Sequence, residues 1–96
     1  MRIAMFLTWE GITPKQYNEV RKLVDWDNNI PAGGVLHIAS FDSKGLRITD
    51  VWENETDFNN FAQNRLMPKV LQLGITSAPT IEVYPLHNLF TPGFGK

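Results

Sequence analysis

Ile3-Ala4-Met5-Phe6-Leu7-Thr8-Trp9, the heart of an apolar run over residues 2–9, is the stretch on which the fold turns. It is rich in strand formers, and Gly11, Thr13 and Pro14 stop it, so it reads as a first β-strand. Its side chains are apolar on both parities: Ile3, Met5, Leu7 and Trp9 on one side, Ala4 and Phe6 on the other. A strand that is apolar on both sides is expected to be covered on both. The run follows the basic Arg2 but is short and lacks a small-residue cleavage pattern, which argues for a strand rather than a leader and for a cytoplasmic protein.

Outward from this strand, Thr13 can cap a helix with Pro14 at its first position, where a missing N–H costs nothing. Tyr17, Val20, Leu23 and Val24, with Trp26 beyond them, recur at three- and four-residue spacings and predict an amphipathic helix with one buried stripe. The turn-rich residues 28–34 end it. Residues 35–41 and 46–53 then predict a hairpin closed by Asp42, Ser43, Lys44 and Gly45. Asn54 can cap a second helix with Asp57 in its first turn, and Phe58, Phe61, Ala62, Leu66, Val70 and Leu73 mark its apolar face. Pro68 should kink or divide that helix, and Gly74 ends it. Residues 80–84 predict a last strand limited by Pro85. The tail, residues 91–96, is expected to be loose.

The order strand-helix-strand-strand-helix-strand predicts an α+β fold, a ferredoxin-like βαββαβ sandwich with both helices on one face of a four-stranded antiparallel sheet. With helices for only one face, the doubly apolar first strand calls for a second copy of the sheet. The expectation is a homodimer closing a dimeric α/β barrel around a small cavity. One domain covering residues 1–96 suits the chain length.

Composition narrows the function. The chain is 43% hydrophobic and 20% charged, with 9 Lys plus Arg against 10 Asp plus Glu and a formal charge of -1. Scattered basic residues without a stripe argue against nucleic acid as a partner, and no apolar run approaches the roughly 18 residues of a membrane span. There are 0 cysteines, hence no disulfide or thiolate chemistry. Gly33 and Gly34 lead into a strand rather than a helix, so they form no phosphate loop. Two histidines without a clear third ligand make a weak metal or haem signal, and no cofactor is expected.

The candidate catalytic residues are His37 and Asp50. A four-residue loop would set Phe41 opposite Leu46 and His37 opposite Asp50, where the carboxylate would fix the imidazole tautomer and leave the other nitrogen as a base. A three-residue loop with Gly45 in the left-handed region would put the two on opposite faces, and the sequence leaves both registers open. Asp50 shares a face with Trp52, either as a structural partner or in a pocket, while Trp52 could stack on a flat ligand or pack as core. Tyr17, Trp52, Arg65, His87 and Asn88 are the candidate ligand-binding residues. Arg65 could instead pair with Glu55 or Asp57 or lie along the surface.

Pro31, Ala32 and Gly33, then His37, Gly45, the run Asp50-Val51-Trp52-Glu53, Phe58, Phe61, Arg65, Leu66, Pro68, Gly74 and the ending Tyr84-Pro85-Leu86-His87-Asn88 together resemble the dimeric α/β-barrel superfamily. That superfamily includes the antibiotic-biosynthesis-monooxygenase-like proteins, and the likeness is strongest to a group of small uncharacterised bacterial proteins within it. Asn54 stands where serine is commoner, and either residue can cap a helix. The resemblance implies the fold and the dimer. Its members variously oxidise polycyclic phenols without a cofactor, degrade haem, dismutate chlorite, break down muconolactone or have no assigned reaction. The reading is a barrel protein that binds a small apolar or aromatic ligand between sheet and helices, against the alternative of a cofactor-independent monooxygenase-like or isomerase-like enzyme acting on a small aromatic substrate. An enzyme predicts an enclosed volume of at least about 300 Å³ beside His37 or His87 and Asp50.

Overall fold

A computed structural model describes residues 1–94. Strand β1 (Ile3–Glu10) is followed by helix α1 (Pro14–Val24), the hairpin β2 (Gly34–Asp42) and β3 (Gly45–Trp52), helix α2 (Glu55–Phe61), a π-helical turn (Ala62–Leu66), helix α3 (Met67–Gln72) and strand β4 (Thr80–Pro85). The strands form one antiparallel sheet in the order β2-β3-β1-β4. This is the ferredoxin-like arrangement predicted from the element order.

Local chemistry explains the element starts. The Thr13 side chain accepts from the Gln16 backbone N–H at 3.2 Å while Gln16 Oε1 accepts from the Thr13 N–H at 2.9 Å, a reciprocal cap that satisfies two orphan donors. Asn54 Oδ1 accepts from the Asp57 N–H at 2.8 Å and starts α2 in the same way. Pro68 lies in the first turn of α3 and lacks the N–H that would continue the ladder, and the π-helical turn of residues 62–66 stands directly before it. The expected break is therefore a change of helical pitch that keeps residues 55–72 helical.

The sheet is open, which corrects the expected barrel. Its ladders join β2 to β3, β3 to β1 and β1 to β4, and among the described residues none joins β2 to β4. The expected barrel comes from two sheets paired face to face, and the sheet of this chain stands open between its edge strands β2 and β4. The second parity of β1 is only half apolar. Ile3, Met5, Leu7 and Trp9 are buried under the helices, whereas Thr8 and Glu10 share the other side with Ala4 and Phe6, and Phe6 is 43% exposed.

The core therefore has one side, between sheet and helices. Met5 and Val70 are its most deeply buried side chains, each 1% exposed, joined by Val20, Val24, Leu46, Trp52 and Phe58. Burying a side chain the size of Met5 contributes about 1.5–3 kcal/mol. Beyond β4 the Leu86 N–H donates to Arg2 O at 3.0 Å, and the Phe94 N–H donates to Thr91 O at 3.1 Å in a turn, while the last two residues of the tail expected to be loose lie outside the described residues.

Candidate functional site

The hairpin register decides the site. Asp42 pairs with Gly45, Phe41 with Leu46 and His37 with Asp50, with an irregularity in the ladder between Gly34 and Leu36. Of the two registers the sequence left open, this is the one that puts His37 and Asp50 on the same face. Asp42 Oδ1 holds the turn by accepting from the Lys44 and Gly45 N–H groups at 2.8 and 3.1 Å.

Four side chains from three elements then form one chain of hydrogen bonds. Tyr17 Oη is 2.6 Å from His37 Nε2, and His37 Nδ1 is 2.7 Å from Asp50 Oδ1. Trp52 donates its indole N–H to Asp50 Oδ2 at 3.0 Å. A carboxylate only accepts, so the bond to Asp50 puts a proton on Nδ1, and in that tautomer Nε2 accepts a hydrogen bond from the Tyr17 hydroxyl. Asp50 is only 6% exposed, and its two oxygens are each engaged, as a buried charge requires. His37 keeps a third of its side chain open to solvent on the edge strand β2. Burial pushes the Tyr17 phenol above its ordinary value; nearby Arg21 opposes that shift, and the carboxylates of Asp50 and Asp27 add to it.

Aromatic rings surround this chain. Trp26 lies 5.2 Å from the His37 ring and 6.0 Å from Tyr17, and Phe41 meets the Tyr17 ring edge-on at 6.2 Å. Phe61 bridges Trp26 and Trp52 at 6.4 and 5.5 Å. Beneath them a cavity of about 240 Å³ opens between the sheet and the helices, with Tyr17, Trp26, His37, Asp50, Trp52 and Phe61 among its lining residues. It belongs to a single chain, not to a space between two sheets, and it is smaller than the volume predicted for an enzyme.

Tyr17, His37, Asp50 and Trp52 thus come together, and the other three candidates lie elsewhere. His87 and Asn88 are exposed beyond β4 and do not line the cavity. The Arg65 guanidinium donates through Nη2 to Val24 O at 3.0 Å and Asn29 O at 2.7 Å, and it stacks on Phe61 with its central carbon 5.4 Å from the ring centroid. It ties the end of α1 and the following loop to the π-helical turn. Trp26 and Phe41 carry no site role in the sequence pattern, and the aromatic type of Trp26 just past the end of α1 is the one signal that points to it. Among the described residues no group of three His, Cys, Asp or Glu side chains is placed to hold a metal ion. No helix among them is long and apolar enough to cross a membrane.

The fold is shared with several solved structures, among them proteins named for antibiotic biosynthesis monooxygenases. A protein of Chloroflexus aurantiacus named for antibiotic biosynthesis monooxygenases superposes with a TM-score of 0.67 at 11% identity, over 97% of this chain and 100% of its own. The NE2512 protein of unknown function from Nitrosomonas europaea gives 0.65 at 17% identity, over 96% and 95% of the two chains. SnoaB, a cofactor-independent oxygenase from Streptomyces nogalater, gives 0.59 at 15% identity, over 92% and 93%. No protein-family model and no curated protein sequence matches the chain.

Proposed function

We propose that this chain takes a small aromatic molecule into the cavity between sheet and helices and removes a proton from it, as the first step of a cofactor-independent oxygenation. The carrying observation is the Tyr17–His37–Asp50 chain of hydrogen bonds at an aromatic-lined cavity. His37 is the proton acceptor, and Asp50 fixes its tautomer and stabilises the imidazolium that forms. The phenolate so produced is electron-rich enough to reduce dioxygen, the co-substrate. One oxygen atom enters the ring, the other leaves as water with the two hydrogens lost from the ring C–H and O–H, and the phenol becomes a quinone. The likeness in fold to SnoaB supports this reaction class.

Binding without turnover is the second reading, and the cavity size favours it: about 240 Å³ is below the roughly 300–1,000 Å³ of most small-molecule sites. Oxygen uptake with a set of naphthols and dihydroxynaphthalenes separates the two. Turnover by the native protein that falls by about 100-fold or more in His37→Ala supports the oxygenase. Binding without uptake leaves the carrier reading, and no binding rejects both. The same proposal reads the protein as a cytoplasmic homodimer. Sedimentation at a single-subunit mass would remove that part.

A further inference from the structure

The imidazole that serves as base has no free nitrogen. Nδ1 is spent on Asp50 at 2.7 Å and Nε2 on the Tyr17 hydroxyl at 2.6 Å, so a ligand in the cavity cannot reach a lone pair of His37 while Tyr17 stays in place. Tyr17 Oη, in contrast, makes no other hydrogen bond among the described residues, and a hydroxyl that donates one still has lone pairs to accept with. Its ring lines the cavity and is held by Trp26 at 6.0 Å and Phe41 at 6.2 Å, and it lies within 3° of parallel to the imidazole.

We infer that Tyr17 is the catalytic residue that meets the substrate: its oxygen takes the substrate's proton as its own proton passes to His37 Nε2. The inference rests on the reading of the cavity as an aromatic-binding site with His37 as final proton acceptor. The step balances. The substrate O–H bond breaks and a new O–H bond forms on Tyr17, the old Tyr17 O–H bond breaks and an N–H bond forms on Nε2, and the products are a substrate anion and an imidazolium paired with Asp50. Tyr17 begins and ends as a neutral phenol. Burial, which holds its proton more tightly than in water, suits a group that passes a proton on without remaining ionised.

The test is a titration of 2-naphthol bound to the protein, read by the absorbance of its anion, with naphthalene as the ligand that has no proton to give. In the native protein, bound 2-naphthol should ionise at least about tenfold more readily than in solution, one unit of apparent pKa. Tyr17→Phe should still bind naphthalene as the native protein does, while 2-naphthol bound to it ionises as in free solution. His37→Gln should lose the same effect. Removing the Tyr17 hydroxyl also frees Nε2, so a Tyr17→Phe protein that ionises 2-naphthol as well as or better than the native one overturns the relay and makes His37 the direct base. Native protein that binds 2-naphthol without promoting its ionisation overturns the relay and leaves aromatic binding standing. Failure to bind either ligand overturns the inference and the reading beneath it together.

Discussion

Trp52 donates its indole N–H to the carboxylate of Asp50, two residues back on the same strand, at 3.0 Å. Residues two apart on a strand share a face, so β3 itself brings this donor and acceptor together without help from any other element. The contact explains how a carboxylate is kept under two helices. One Asp50 oxygen is held by the tryptophan and the other is left to orient His37, and among the described residues no buried side-chain nitrogen or oxygen lacks a partner.

Asp50→Ala should therefore destabilise the protein by about 1–3 kcal/mol, the cost of leaving the buried indole N–H without an acceptor. Asp50→Asn, whose amide offers one oxygen, should lose less. Urea denaturation checks this through the midpoint at constant slope. In a cycle with Trp52→Phe the double variant should recover part of the sum, because the two residues share one bond. Strict additivity would mean that the Trp52 contact is energetically empty.

Arg65 supports a second prediction. Its guanidinium joins the carbonyl of Val24, the last residue of α1, to that of Asn29 in the following loop, and Trp26 lies on the stretch between them. Arg65→Met should cost about 1–3 kcal/mol for the lost charge-assisted bonds. It should also change the tryptophan emission as the Trp26 wall loosens. Lysine is a single point donor and cannot replace the planar fork, so Arg65→Lys should regain less than half of the loss. A thermal melt followed by fluorescence reads both effects, and an Arg65→Met protein with native melting and emission would contradict the clamp.

How much of this the sequence disclosed depends on the range of the interaction. The caps at Thr13 and Asn54 and the alternation of β1 are local chemistry, and all three stand where the pattern puts them. The His37–Asp50 pairing hung on one residue of loop length, since a slip of one reverses every side chain, and only the paired backbone could settle it. Arg65 reaches carbonyls 41 and 36 residues away, and no spacing rule reports a backbone acceptor at that separation. The barrel failed for a different reason. Ala4 and Phe6 make only half of the second face of β1 apolar, Thr8 and Glu10 follow them on the same side, and single exposed apolar side chains are ordinary.

Gly45 yields a prediction about the turn that sets the register. Its φ is +146°, and an added Cβ would come within 2.5 Å of Trp9 O and 2.8 Å of Gly11 N, both backbone atoms that no rotamer change can move. Gly45→Ala should cost about 1–3 kcal/mol in backbone strain alone. The neighbouring bond from the Gly11 N–H to Lys44 O, 2.8 Å long, should open first. Amide exchange at Gly11 that speeds up more than exchange at the centre of β1 would bear this out, and unchanged exchange at Gly11 would count against it.

Tyr17 makes a pH prediction whose sign follows from burial. Desolvation raises its folded-state pKa above the ordinary 10.0, against Arg21 and with Asp50 and Asp27, so the folded protein holds this proton more tightly than the unfolded chain does. Below the unfolded value both states are protonated and the group contributes no slope. As pH rises through about 10 the unfolded chain ionises first and is favoured, so stability falls until the folded value is passed. Tyr84 acts in the same direction through its bond to Glu82, and Asp42 acts at the other end of the scale: its pKa is lowered, chiefly by Arg47, and its contribution is lost as pH falls through that lowered value. Tyr17→Phe should accordingly flatten the alkaline limb of a stability-against-pH curve without changing its acid limb, and Tyr84→Phe should flatten it separately. Urea midpoints measured from pH 8 to 11 decide the matter: an alkaline slope that Tyr17→Phe leaves untouched would show that the phenol is not held in the low-dielectric site on which the proton relay depends.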